Sequence, residues 1–355
     1  MRRKLLLLSL ICILVVSGFV VAFTLSSVES KPEVLTAEDL PPVINTEKTA
    51  TGIKTSASGD TVFSSPASTD TDKSEKTTAP ATEGKLPSAA QTAVIAESPA
   101  ADFDFINEAG ETLAERINTP PGFERTEYAE GSFGEFVRNY KLKEHNSAVL
   151  YFDGRTKNSN NHTAVFDMFL AERDLQQCAD SIMRLIAEYY YSAGQYDKIA
   201  FDFVNGFECR YDKWIEGNRV GFEDNKAFWK EGGTKGASAG TFESYINTVF
   251  AYASTLSLEA SAKAIKINDL QIGDVFIKGG SPGHVVMIAD ICENAEGEKA
   301  FLLAQGFMPA QSFHLLKNPA SDNDPWYYAD EISYPFQTPE YTFPEGSLKR
   351  LEALE

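Results

Sequence analysis

The sequence predicts an α+β fold in which a helix precedes one antiparallel sheet. Leu175, Cys178, Ala179, Ile182, Leu185, Ile186 and Tyr189 recur at three- and four-residue steps, the spacing of an amphipathic helix some four turns long. Residues 275–317 are dense in β-branched and aromatic runs punctuated by glycine-rich turns, the pattern of consecutive strands. Ahead of the main helix, residues 132–140 read as a short helix, Val149-Leu150-Tyr151-Phe152 as a strand ended by Asp153-Gly154, and residues 163–170 as another strand. The main helix has Asp174 where an N-cap belongs and Gln177 three residues later, as in a capping box, and it stops before Gly194. A strand around 199–204 and a helix over about 241–253 follow. Gly273-Asp274-Val275-Phe276-Ile277 then turns into a strand, 279–283 forms a tight loop, and His284 opens a buried strand through Ala289. A turn over 294–298 leads to Phe301-Leu302-Leu303-Ala304-Gln305, which folds back antiparallel about Ala295 or Glu296.

Three regions divide the 355 residues. Arg2, Arg3 and Lys4 precede an uncharged run over 5–24, long enough to cross a bilayer core and oriented by its basic flank to leave the rest outside the cytoplasm. Residues 1–24 therefore read as a signal anchor, with a cleaved signal peptide as the rival because Val20-Val21-Ala22 offers small residues at a cleavage site. Cys12 lies within the apolar run as a membrane-embedded side chain. Residues 25–101 are rich in Ser, Thr, Ala and Pro, with Phe63 the sole aromatic, so they bury too little to offset ordering entropy and read as a disordered stalk. The folded part is 102–355, one large domain or two small ones.

Net charge excludes some function classes. Of the formal −19, the anchor contributes +3 and the stalk −5, leaving −17 on the folded part. Such a surface repels phosphate backbones, so nucleic acid is not a partner; it serves solubility or favours cationic and neutral ligands. Four cysteines without a CxxC pair and four histidines without HExxH give no zinc site, and no pattern calls for a cofactor.

Cys178, in the first turn of the main helix, is the candidate nucleophile, because the partial positive charge of a helix N-terminus lowers a thiol's pKa. A packed inert thiol and a disulfide to Cys209 or Cys292 are the alternatives. His284, at the start of a strand fixed in the core, is the candidate base. Gln305, on the neighbouring strand, is the candidate third residue, a neutral amide that orients imidazole without adding negative charge, with Asp290 or Gln311 in reserve. Trp214, Trp229 and Tyr189-Tyr190-Tyr191 read as core packing before cleft lining.

Two resemblances follow from these residues. Leu175-Gln176-Gln177-Cys178-Ala179-Asp180, the stretch 273–288, Leu302-Leu303-Ala304-Gln305 through Met308-Pro309-Ala310-Gln311, and Pro325-Trp326-Tyr327 resemble signature segments of a bacterial extracytoplasmic family, domain of unknown function 4846, over nearly all of 102–355. That family name implies no activity. More remotely, Gln177-Cys178 at a helix start, Gly273-Asp274-Val275-Phe276 and Gly283-His284-Val285 resemble the CHAP amidases and NlpC-type peptidases that cut bacterial cell-wall peptides. The second resemblance implies a papain-like fold and a membrane-tethered cysteine hydrolase acting on cell-wall peptide or a small amide. Cys178 would be its nucleophile, His284 its base and Gln305 its orienting residue, unless the fold survives as a non-catalytic binding or structural module. The 106 positions between Cys178 and His284 exceed what compact members need and imply an insertion containing Trp214 and Trp229.

Overall fold

The computed structural model describes residues 103–355. The anchor and stalk expected over 1–24 and 25–101 lie outside the described residues, among which no helix is long and apolar enough to cross a membrane. In chain order the elements begin α1 (Leu113–Arg116), β1 (Phe123–Arg125), α2 (Phe133–Arg138), β2 (His162–Val165) and α3 (Cys178–Ser192). A middle section holds β3 (Ala200–Asp202), β4 (Glu208–Arg210), α4 (Tyr211–Ile215), β5 (Asn218–Glu223), β6 (Lys226–Glu231), α5 (Ala239–Tyr252) and α6 (Thr255–Ala260). Then come β7 (Ala262–Ala264), β8 (Val275–Lys278), β9 (His284–Asn294), β10 (Lys299–Gln305), β11 (His314–Leu316) and β12 (Tyr327–Tyr328). The last strands are β13 (Phe336–Gln337), β14 (Thr342–Phe343) and β15 (Leu348–Leu351).

The fold is α+β, with a nine-stranded sheet ordered β2-β11-β10-β9-β8-β15-β7 and with β1 added to β9 and β12 to β10, although two of its strands, β1 and β2, precede α3 in the chain. Each pairing in it is antiparallel. β9 is buried from His284 to Cys292, so both its faces are covered and it reads as a continuous apolar run rather than an alternation. α3 packs against β9 and β10. Between β10 and β9 the register shifts: Leu302 faces Asp290 but Leu303 faces Ile288, which leaves Ala289 without an opposite residue.

Three expectations are corrected. α3 starts at Cys178, not near Asp174, because the Asp180 carboxylate accepts from the Gln177 backbone N–H at 3.0 Å and caps the helix there. Asp174 instead accepts from Gln177 Nε2 at 3.1 Å and from the Ala310 N–H at 2.7 Å. Val149-Leu150-Tyr151-Phe152 is no strand: a turn brings the Arg155 carbonyl onto the Tyr151 N–H at 2.8 Å, leaving single bridges from Leu150 to Thr156 and from Tyr151 to Gln311. The strand expected over 163–170 spans only His162–Val165, since β11 opposite it is equally short. Among the described residues Cys178, Cys209 and Cys292 are all free, so the alternative of a disulfide from Cys178 to Cys209 or Cys292 is not met.

The aromatic residues of the middle section serve packing. Trp214 is buried edge-on to Tyr245 with ring centroids 5.7 Å apart, and the Arg219 guanidinium lies 4.3 Å over its ring. Half-buried Trp229 stands 5.3 Å from Phe207. The hydroxyls of Tyr189, Tyr190 and Tyr191 donate to the carbonyls of Gly131, Ala353 and Ala237, fastening α3 on three sides.

Arg184 is the buried hub of α3. It donates to both carboxylate oxygens of Glu243 on α5 at 2.8 and 2.7 Å and to Gln176 Oε1 at 2.7 Å, and it pairs with Glu188 at 3.3 Å. A buried pair broken on one side leaves its partner uncompensated. Arg184→Met is therefore expected to cost roughly 3–5 kcal/mol in urea unfolding; a loss under about 1 kcal/mol, the scale of an exposed pair, would overturn the hub role.

Candidate active site

His284 enters β9 from a loop that only glycine allows to close. A Cβ on Gly283 would stand 2.3 Å from the Gly280 carbonyl oxygen and 2.6 Å from Thr255 Oγ1, so the backbone bends tightly just before the histidine. The imidazole is 2% exposed, with the rings of Phe307, Tyr341 and Phe343 at centroid distances of 4.7, 5.1 and 6.0 Å.

Gln305 reaches the same place from β10. Continuing the shifted register beyond Ala304 and Met287 sets Gln305 across from Val286, two residues from His284 and on its face of the sheet. His284 Nε2 and Gln305 Oε1 are 2.8 Å apart. Gln305 Nε2 donates to Glu340 Oε2 at 2.7 Å, and Glu340 in turn binds Lys157 Nζ at 2.5 Å through Oε1. These partners fix the protons. A carboxylate only accepts, so the amide nitrogen must face Glu340; the amide oxygen then faces His284, and Nε2 of the imidazole carries the hydrogen. Nδ1 is left as the basic nitrogen.

Cys178 lies half-buried at the first position of α3. Its thiol receives the backbone N–H groups of Ala179 and of Val285, the residue after His284, and it also acts on the Tyr341 phenol. Gly306 brings the strand and helix together: a Cβ there would lie 2.4 Å from Ser181 Oγ and 2.9 Å from the Gln177 carbonyl oxygen. The end of β10 thus runs against the first turn of α3.

The electrostatics reverse one expectation. Burial pushes the Cys178 thiol up to about 11, with the Asp180 carboxylate adding to the rise, and these outweigh the helix N–H groups that pull it down. Burial also raises Asp180 to about 8, and its Oδ1 has no hydrogen-bond partner among the described residues. His284 is lowered to about 4 by burial, against the opposing pull of Gln305 and Glu340. At neutral pH the site therefore rests as thiol and neutral imidazole. His314, beside Gln305 on β11, donates from Nδ1 to the Ser312 carbonyl at 2.8 Å and is held to about 3 by burial.

Neither reserve candidate takes the third position. Asp290 binds Arg125 at 2.6 Å and Arg138 at 2.7 Å, and Gln311 is buried with no partner for its Nε2 among the described residues. Glu340 and Lys157 were invisible to sequence reasoning, because Glu340 sits in the polar turn Thr338-Pro339-Glu340-Tyr341 and Lys157 in an irregular connection. Among the described residues no cluster of histidine, cysteine, aspartate and glutamate is arranged to hold a metal ion.

Burial of a neutral imidazole links folding to pH. His284 falls from an ordinary value of 6.5 to about 4, so the unfolded chain takes up its proton first. This contribution is complete above about pH 6.5 and is lost as pH falls toward about 4. Raised Asp180 works in the opposite sense over the same window, so the comparison must be between variants. The stability difference between wild type and His284→Gln is expected to shift by about 2 kcal/mol against wild type from about pH 6.5 to about pH 5 in urea unfolding. A difference constant across that window would show that His284 is not held neutral.

No curated protein and no solved structure matches the chain. One family model does, over residues 113–350, a span that takes in Cys178, His284, Gln305, Glu340 and Lys157. On that match, the chain belongs to the family described as Domain of unknown function (4846).

Proposed function

We propose that the chain is a papain-like cysteine hydrolase of the CHAP or NlpC kind, cutting cell-wall peptide or a related amide. In this reading residues 1–24 anchor it to the membrane and 25–101 hold the domain outside the cytoplasm. The observation that carries it is the 2.8 Å approach of His284 Nε2 to Gln305 Oε1, from which a hydrogen on Nε2 and a bare Nδ1, free to take the thiol proton, follow. A helix beginning at the cysteine, an antiparallel strand beginning at the histidine and an amide on the next strand support the same reading.

The reaction follows from these groups. Cys178 Sγ attacks the carbonyl carbon of the amide as its proton passes to His284 Nδ1. The first-turn N–H groups of α3, lacking intrahelical acceptors, face the negative charge that develops on the carbonyl oxygen. The C–N bond breaks as the imidazolium returns the proton to the leaving amine, and a thioester remains on Cys178. Water, deprotonated by His284, then releases the acid and the free thiol. With the thiol up at about 11 and the imidazole down at about 4, proton transfer accompanies attack and no ion pair exists beforehand.

Those same two values favour one second reading, a binding module whose thiol is packed and inert. Iodoacetamide at about pH 8 separates the two. For a hydrolase, Cys178 labels in the folded protein, His284→Ala slows labelling roughly tenfold or more, and buried Cys209 and Cys292 label only on unfolding. Labelling of all three cysteines only on unfolding would establish the inert module. Asp180→Asn removes the carboxylate that raises the thiol, so the midpoint of alkylation should move below about 11; an unmoved midpoint would leave burial as the whole cause. For the tether, protease added to intact cells should release the domain by cutting within 25–101, and complete protection would place the domain inside the cell.

A further inference from the structure

Beyond the three residues of the proposed site, the structure places a mostly buried carboxylate behind the amide. We propose that Glu340 is a positioning residue for His284: its carboxylate pins the Gln305 side chain in one orientation and thereby commits the imidazole to the Nε2–H tautomer. The inference rests on the hydrolase reading for its purpose, but the geometry stands apart from it. Amide oxygen and nitrogen are nearly isosteric, so Gln305 by itself presents either group to His284. Presented with N–H, the imidazole would have to accept at Nε2 and carry its hydrogen on Nδ1, the nitrogen the reaction needs bare. Only an acceptor-only partner behind the amide excludes that state, and Glu340 Oε2 at 2.7 Å from Gln305 Nε2 is such a partner. His314 does not replace it, lying 3.5 Å from Gln305 Nε2, beyond a good hydrogen bond.

Glu340 is itself held from two sides. Its turn is closed by Thr338, whose N–H and Oγ1 both donate to the Tyr341 carbonyl at 2.9 Å, so the β13–β14 hairpin presents the carboxylate in a fixed position. Lys157, almost wholly buried and 5.2 Å over the Phe307 ring, neutralises it, which makes a carboxylate tolerable at this depth. His284 thus meets Gln305 and the charges of Glu340 and Lys157 from three separate segments, with the Tyr341 ring 5.1 Å away and the Cys178 thiol acting in turn on the Tyr341 phenol.

The test is 15N NMR of histidine-labelled protein at neutral pH, where His284→Gln identifies the His284 signals among those of four histidines. Wild type should show the pure Nε2–H tautomer. Glu340→Gln, which offers N–H or oxygen to Gln305, should show a mixture with Nδ1–H, while Lys157→Met, which keeps the carboxylate, should retain Nε2–H. The double variant Lys157→Met/Glu340→Gln removes both charges together and should show the mixture even where Glu340→Gln alone does not fold. A pure Nε2–H tautomer in the variants lacking the carboxylate would overturn the proposal, as would loss of it in Lys157→Met, which would assign the effect to packing. Alkylation of Cys178 is read in parallel. A tautomer that follows Glu340 beside an unreactive thiol overturns the hydrolase reading alone; a reactive thiol beside an unmoved tautomer overturns this inference alone.

Discussion

The site depends on one missing partner in a β-ladder. Side chains along a strand alternate between faces, so two residues on adjacent strands meet only when their register has the right parity. Skipping Ala289 changes that parity between β9 and β10. It moves Gln305 from opposite Met287, where its amide would point away from His284, to opposite Val286, where the two side chains share a face. What holds the shift in place is the residue beside it. Asp290 is fully buried and bound by Arg125 from β1 and Arg138 from α2 at 2.6 and 2.7 Å. A buried carboxylate without such partners is too costly for the fold to carry. Slipping the register would drag Asp290 off both guanidiniums, so a pair of structural ion pairs on one side of the bulge fixes the alignment of polar groups on the other.

The polar chain that results runs from His284 through Gln305 and Glu340 to Lys157, and each link limits the next. Its terminal lysine cancels the charge of the carboxylate, which explains why an imidazole near Glu340 still loses its proton down to about 4: burial dominates and the opposite charges nearly offset. Gln305 itself adds no charge to this chain. A negative charge is present one residue farther back, with a counter-ion already attached.

Legibility in the sequence followed physical range. The stripe from Leu175 to Tyr189 repeats every three or four residues and marked α3 unaided, as the run after His284 marked β9. The helix start was misplaced because the pair expected of a cap, Asp174 and Gln177, does bond, but through side chains at 3.1 Å; what recruits Asp174 away from the helix is the Ala310 N–H, 136 residues distant. The hairpin between β9 and β10 was legible, yet a regular hairpin about Ala295 or about Glu296 sets Gln305 opposite Val285 or Met287, and both have the wrong parity. The bulge that corrects it depends on Arg125 and Arg138, more than 150 residues away. Glu340 carries no local signal at all, for its turn resembles any solvent-facing turn until the fold buries it.

The same burial that makes the polar chain precise in its protons works against the helix dipole at Cys178. A helix N-terminus offers about half a unit charge, worth at most a few kcal/mol in a partly buried setting. Desolvation of a thiolate acts on the whole charge, and Asp180, needed to cap α3 at Gln177, adds a like charge close by. The helix start that marks Cys178 as a nucleophile thus also brings part of what raises its thiol: the capping acceptor at N3 is a carboxylate, and it adds to the larger effect of burial. In the proposed reaction, this assigns the work of the helix N–H groups to the oxygen of the attacked carbonyl rather than to a resting thiolate. Negative charge then resides on the reacting atoms only while the carbonyl is under attack, when the imidazole carries the compensating proton.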